Sequence, residues 1–310
     1  MRITRDSIGE SIKNNKNLPM KKIVLIFVLS FFIFSCTKNE NSLPIDETGN
    51  STLNDTTIVD ISYGNHIRQK YDIHLPAGRD RNTPVILMIH GGAWKAGQKE
   101  DLNVYLNIIK DKWSDVAIVN MNYRLASNAE NIHHNEIMDD IKTVIGQVIN
   151  NQNDYHISTN MGIIGASAGG QLAMIYAYKY NDYNNINCVA NIFGPSIIND
   201  WSWYNSTNIW LGGYVGDFLT EYVGQPWDNS VYESVSPYWN ITSNSQPTII
   251  FHGNLDPIVP VYQSQWMHGK LNNLNVINEY HEYVAFHNFD NTQAQDVVSK
   301  MVAFFDNHID

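Results

Sequence analysis

Two rhythms of apolar and polar positions alternate along this chain. Strand-like runs fall at 57–62, 70–75, 85–90, 116–122, 161–165, 189–193, 248–252 and 276–283. Several are apolar without a break, as in Val85-Ile86-Leu87-Met88-Ile89, the pattern expected of a strand covered on both faces. Between them, Ile137, Met138, Ile141, Val144, Ile145, Val148 and Ile149 repeat on one face of a helix, and Val297, Val298, Met301, Val302 and Phe305 do so near the C-terminus. The first runs follow one another without a helix and the later ones alternate with helices. This predicts an α/β fold: an antiparallel start feeding a mostly parallel, eight-stranded sheet with helices on both faces. Ligands of such sheets gather beyond the carboxyl ends of the strands, so the residues at those ends carry the most weight.

Three stretches break the alternation. Lys21-Lys22 precede residues 23–34, apolar except for Ser30, and Ser35-Cys36 close the run. A basic start, an apolar run too short to span a bilayer and a small residue at its end predict an export signal over 1–35, complete even if translation begins at Met20. Ile33-Phe34-Ser35-Cys36 resembles the lipobox of bacterial lipoproteins, with Phe34 the departure. The resemblance implies lipidation of Cys36 and a lipid anchor in a bacterial membrane, on its periplasmic or outer face. A cleaved signal with an incidental cysteine is the alternative. Residues 36–55 are rich in Asn, Ser, Thr, Asp and Glu and read as a flexible tether, leaving 56–310 as one domain. Within it, about 196–236 forms an excursion crowded with aromatic residues, including Trp201, Trp203, Tyr204, Trp210, Tyr222, Trp227 and Tyr232. Two readings stand side by side: a lid whose rings meet substrate, or a satellite core that holds the insertion together.

Charge and cysteines narrow the function. The chain carries 20 Lys+Arg against 31 Asp+Glu, and without residues 1–35 its formal net charge is −15. A nucleic-acid partner needs the opposite sign, and neutral substrates are favoured over anionic ones. Cys36 and Cys188 are the only cysteines; with Cys36 lipidated, Cys188 has no partner and reads as a small buried hydrophobe. No motif calls for a metal, nucleotide or flavin cofactor.

Four motifs sit at predicted strand ends. Gly165-Ala166-Ser167-Ala168-Gly169-Gly170 follows one strand and opens a helix, which is G-x-S-x-G in its required setting. Its glycines allow a turn sharp enough to expose the Ser167 hydroxyl, and the helix directs its amide dipoles towards a developing oxyanion. His90-Gly91-Gly92-Ala93-Trp94 ends another strand where the chain must turn and present backbone amides. His252-Gly253-Asn254-Leu255-Asp256-Pro257 ends a third, Asp256 being either a catalytic acid or a turn and helix-capping residue. Phe286-His287-Asn288-Phe289 follows the last strand. The rival histidine, His281, falls within an alternating strand pattern and reads as structural. His133-His134 starts a helix and reads as solvated, with Glu136 and Asp139 leaving a metal site as a remote alternative. Asn122-Tyr123-Arg124-Leu125 reads as structural, Arg124 serving nearby carbonyls or a carboxylate.

Ser167, Asp256 and His287 stand in the chain order of α/β-hydrolases. From about 85 to 305 the chain resembles the HGG-type esterase/lipase branch of that fold, near hormone-sensitive-lipase-like and feruloyl or acetyl-xylan esterases. The resemblance implies a Ser167, His287, Asp256 triad and an oxyanion hole from the amides of Gly92, Ala93 and Ala168. Trp94, Trp201, Trp203 and Trp210 become candidate substrate contacts, and the expected partner is a small or polysaccharide-linked neutral ester. Two departures are Ala93, where a third glycine is common, and Phe286, where glycine usually precedes the histidine. An amidase or formamidase on the same triad, and a non-catalytic binding protein retaining the fold, are the alternatives.

Overall fold

The computed structural model describes residues 53–310; the expected signal at 1–35, Cys36 and the tether up to residue 52 lie outside the described residues. Ten strands occur in the described part: β1 Thr56–Ser62, β2 Lys70–Leu75, β3 Val85–Ile89, β4 Ala117–Met121, β5 Met161–Ala166, β6 Ile186–Ile192, β7 Thr207–Asn208, β8 Gly213–Tyr214, β9 Thr248–Gly253 and β10 Asn278–Tyr283. Eight form one sheet in the order β1-β2-β4-β3-β5-β6-β9-β10. The pairs β1/β2 and β2/β4 are antiparallel, and every other pair in it is parallel. All eight of its strands coincide with the strand-like runs of the sequence, and β7 and β8 make a two-residue ladder inside the insertion.

Side-chain alternation divides the core between the two faces. Ile86, Met88, Ile118, Ile164, Cys188, Ile249 and Phe251 pack with residues of the helices Asn103–Lys112 and Asn291–Asp306. Leu87, Val119, Ile163, Val189 and Ile250 pack on the opposite side with residues of His134–Asn150, Ala168–Ile175 and Tyr262–Asn273. Because both faces are covered, the central strands tolerate no polar alternation, and each fully buried aliphatic side chain contributes about 1.5–3 kcal/mol.

Arg124 confirms its structural reading: its Nε donates to Asp140 Oδ1 at 2.9 Å and its Nη2 donates to the Glu136 carbonyl at 2.8 Å. Asp140 is buried and also accepts from the Arg124 N–H and from Gln69 Nε2, both at 2.8 Å. This cluster ties the segment after β4 to the helix His134–Asn150.

In the insertion most of the rings face each other. Tyr204 packs against Tyr214, Trp227 and Tyr232 at 4.7–5.8 Å between centroids, and Trp203, Tyr204, Tyr222 and Tyr232 are buried. The insertion docks on the loop after β9, where Trp203 Nε1 donates to the Ile258 carbonyl (3.0 Å) and Asn208 Nδ2 to that of Pro257 (2.6 Å).

Candidate active site

Ser167 occupies the junction between β5 and the helix Ala168–Ile175 with φ +54° and ψ −125°. A non-glycine residue held there costs about 1–3 kcal/mol, so its surroundings must enforce it. Its N–H donates to the Ile192 carbonyl on β6 at 2.9 Å. A Cβ on Gly169 would drive into the Ile89 carbonyl, so only glycine lets the helix approach the end of β3 this closely.

Two loops from other strand ends meet the serine. The Ser167 hydroxyl donates to His287 Nε2 at 2.8 Å, and His287 Nδ1–H donates to Asp256 Oδ2 at 2.6 Å. The Asp256 side chain is fully buried and its second oxygen accepts from the N–H groups of Ile258 (2.8 Å) and Val259 (3.0 Å). Burial opposes its charge, but hydrogen bonds from His252 and His287, with the Ile258 amide, outweigh that and hold the carboxyl well below the usual carboxylate range. An ionised Asp256 fixes the proton of His287 on Nδ1 and leaves Nε2 free to accept from Ser167. Asp256 therefore holds the turn with one oxygen and faces His287 with the other. His252, to which the sequence assigned no role, lies 3.2 Å from Asp256 and is held through Nδ1 by Ser264 Oγ at 2.6 Å. The Phe193 ring packs on His287 at 4.5 Å. His281 hydrogen-bonds Glu279 instead and stacks on Phe251.

The loop after β3 abuts the serine: a Cβ on Gly91 would lie 3.0 Å from that of Ser167. Gly92, Ala93 and Trp94 all have positive φ (+112°, +49° and +61°), and the N–H groups of Lys95 and Ala96 both close on the Gly92 carbonyl. Among the described residues the amides of Gly92 and Ala93 find no protein acceptor, and that of Ala168 heads a helix. An open cavity of about 310 Å³ beside them is lined by Gly91, Gly92, Tyr105, Ser167, Phe193 and Phe289, among others.

None of the four candidate tryptophans lines that cavity. Trp94 and Trp203 are buried, which corrects their assignment as substrate contacts: a buried indole N–H needs an acceptor, and each has one within the protein. Trp201 and Trp210 are exposed, outside this cavity. Trp94 is an anchor, its Nε1 donating to Gln171 Oε1 (2.9 Å) and its ring stacking on Tyr222 at 4.4 Å. The Tyr222 hydroxyl donates to the same Gln171 oxygen (3.0 Å) and accepts from His134 Nδ1 (2.6 Å), while the Tyr180 hydroxyl donates to His134 Nε2 (3.0 Å). This chain couples the strained loop to the serine's helix and to the insertion. His134 is thus buried and not solvated as expected, because two tyrosines distant in sequence supply its partners.

Burial pushes the His134 imidazole down to about 3, helped by the charge of Lys179. Burial likewise pushes His90 down to about 4, against its hydrogen bond to the Gly91 carbonyl and with the help of Arg68. Once unfolded, each ring takes up a proton below about pH 6.5, so stability falls as pH drops through this window by about 1.4 kcal/mol per pH unit for each ring. Thermal unfolding at pH 5 should occur roughly 10 °C below that at pH 7.5. The slope should be shallower in His134→Gln; a melting temperature flat over this range would contradict the assignment.

Residues 71–271 match the model of the BD-FAE family. The chain is 25% identical to esterase LipC of Mycobacterium tuberculosis over 59% of its own length and 47% of that protein's. It spans about half the length of the curated relatives it matches. Among solved structures, a bifunctional GH43-CE from Bacteroides eggerthii superposes with TM-score 0.70 at 22% identity, covering 81% of this chain and 35% of the other. A truncated carbohydrate esterase from gut microbiota does so with TM-score 0.65 at 19% identity, covering 80% and 96%. These similarities agree with the α/β-hydrolase arrangement of the sheet.

Proposed function

The chain belongs to the BD-FAE family, and from this premise we propose that it is a serine carboxylesterase acting on neutral esters. The reading is carried by one observation, the continuous hydrogen-bond path from Ser167 through His287 to the buried Asp256. In this scheme His287 Nε2 takes the hydroxyl proton as Ser167 Oγ attacks the ester carbonyl, and the Asp256 carboxylate stabilises the resulting imidazolium. The amides of Gly92, Ala93 and Ala168 receive the oxyanion, where a single donor is typically worth about 3 kcal/mol. The imidazolium returns its proton to the leaving alcohol, and water, activated by the same ring, releases the acyl group.

Acetyl or feruloyl groups on polysaccharides are the substrates we infer, supported by the net negative charge, which disfavours anionic substrates, and by the likeness to a carbohydrate esterase. The purified protein should hydrolyse short p-nitrophenyl esters, acetylated xylan and feruloylated sugars, and turn over N-formyl amides far more slowly. Equal or faster amide turnover would make it an amidase, and inactivity on every ester would sink the proposal.

A further inference from the structure

We infer that the groove between the insertion and the helix Tyr262–Asn273 binds a neutral polysaccharide chain, its sugar rings stacked on Trp201, Trp239 and Trp266. The groove encloses about 600 Å³, and these three tryptophans line it together with Asn199, Asp200 and Tyr238, among others. Their side chains are 55%, 48% and 55% exposed, an unusual concentration of bare indole in one concavity. A pyranose presents a face of C–H bonds rimmed by hydroxyls, so its recognition asks for flat apolar rings beside hydrogen-bonding groups.

The rings are fixed before any ligand arrives. Trp239 Nε1 donates to Asn199 Oδ1 at 2.8 Å, Trp201 stacks on Tyr204 at 5.6 Å and meets Trp227 at 5.0 Å, and Trp266 packs against Tyr262 at 4.8 Å. Binding to them therefore orders few side chains. The two charged side chains at the groove are held in place by neutral partners. Asp200 accepts from the Trp203 N–H and from the Tyr262 hydroxyl. Lys270 donates to the Tyr238 carbonyl at 2.6 Å and lies over the rings of Tyr238 and Trp239. Asp200 is the one charged side chain in the lining and has no cationic partner there, so an anionic ligand such as a lipid headgroup is disfavoured, and the other lining groups offer a neutral ligand rings and hydrogen-bonding atoms.

Trp201 stands on the segment leaving the carboxyl end of β6, and Trp266 on the helix that follows the Asp256 loop. The groove shares no lining residue with the cavity at Ser167. A polymer held here would be gripped at residues distinct from those around the reacting ester.

The choice of a polysaccharide rests on the esterase reading above, but binding requires no turnover and is measured on the Ser167→Ala protein. In native gels containing soluble arabinoxylan or mixed-linkage β-glucan, this protein should be retarded by at least one of the two. Adding Trp239→Ala and Trp266→Ala should weaken association about tenfold or more, and Trp266→Ala alone, on an exposed helix face, about threefold. Trp210→Ala, more exposed still but outside the groove, should leave retardation unchanged. No retardation by either polymer, or equal retardation of the double variant with its melting temperature preserved, would overturn the inference. Self-association in sedimentation velocity that the double variant loses, without retardation in the gels, would assign the groove to a second copy and overturn it as well. Retardation of a protein whose wild type hydrolyses no ester would leave the groove standing and remove only the esterase reading.

Discussion

Replacing Ser167 by alanine should abolish covalent labelling by a fluorophosphonate and lower kcat on p-nitrophenyl acetate by about 10⁴–10⁶-fold. The size follows from what the substitution removes and what it leaves. Without Oγ there is no acyl-enzyme, and hydrolysis must proceed by direct attack of water. The amides of Gly92, Ala93 and Ala168 would still receive the oxyanion and retain part of the rate, so the residual activity should exceed that of water alone. Alanine inherits the same positive φ of +54°, held by the same Ile192 carbonyl. Stability should therefore hardly change, and lost activity could not be ascribed to unfolding. Labelling and turnover within tenfold of wild type would exclude Ser167 as nucleophile. An unlabelled but folded wild type would favour a binding protein that has kept the fold.

The sheet was legible because parallel strands covered on both faces must be apolar throughout, and runs such as Val85–Ile89 have few other uses. The convergence of Ser167, Asp256 and His287 was legible for a related reason: Ser167 and Asp256 each follow such a run, His287 follows the alternating edge strand β10, and strand ends converge in this topology. Phe286 fits in place of glycine because its backbone has no positive φ and its ring is exposed. The tryptophans were not legible. A Trp beside a glycine-rich loop looks like a substrate contact, yet whether Trp94 meets ligand or protein is decided by Gln171 and Tyr222, 77 and more than 100 residues away. The same holds for His134, whose tyrosine partners lie 46 and 88 residues on. The aromatic insertion has no period to read, so its division into packed rings and bare ones emerges only from three-dimensional contacts. Trp239 and Trp266 lie outside it in sequence and join Trp201 only in the folded chain.

His287→Ala should reduce kcat/KM by about 10⁴-fold or more, whereas His281→Ala should change it by less than about threefold. The two histidines stand close together, His281 on β10 and His287 just after it, and sequence spacing alone separates them poorly. Geometry separates them well: His287 bridges Ser167 and Asp256, while His281 sits on β10, paired with Glu279. Removing the His287 ring deprives the buried Asp256 of one hydrogen bond but leaves those from Ile258 and Val259 and the contact with His252. The stability loss should then stay within about 1–3 kcal/mol, and the variant should fold. It should also label with fluorophosphonate far more slowly, since the Ser167 proton has lost its acceptor, and added imidazole should restore part of both rates if the new cavity admits it. A structural role for His287 would predict neither the slow labelling nor the rescue. If His281→Ala were the inactive variant and His287→Ala retained wild-type rates, proton transfer would have to be reassigned, because no other histidine among the described residues hydrogen-bonds Ser167.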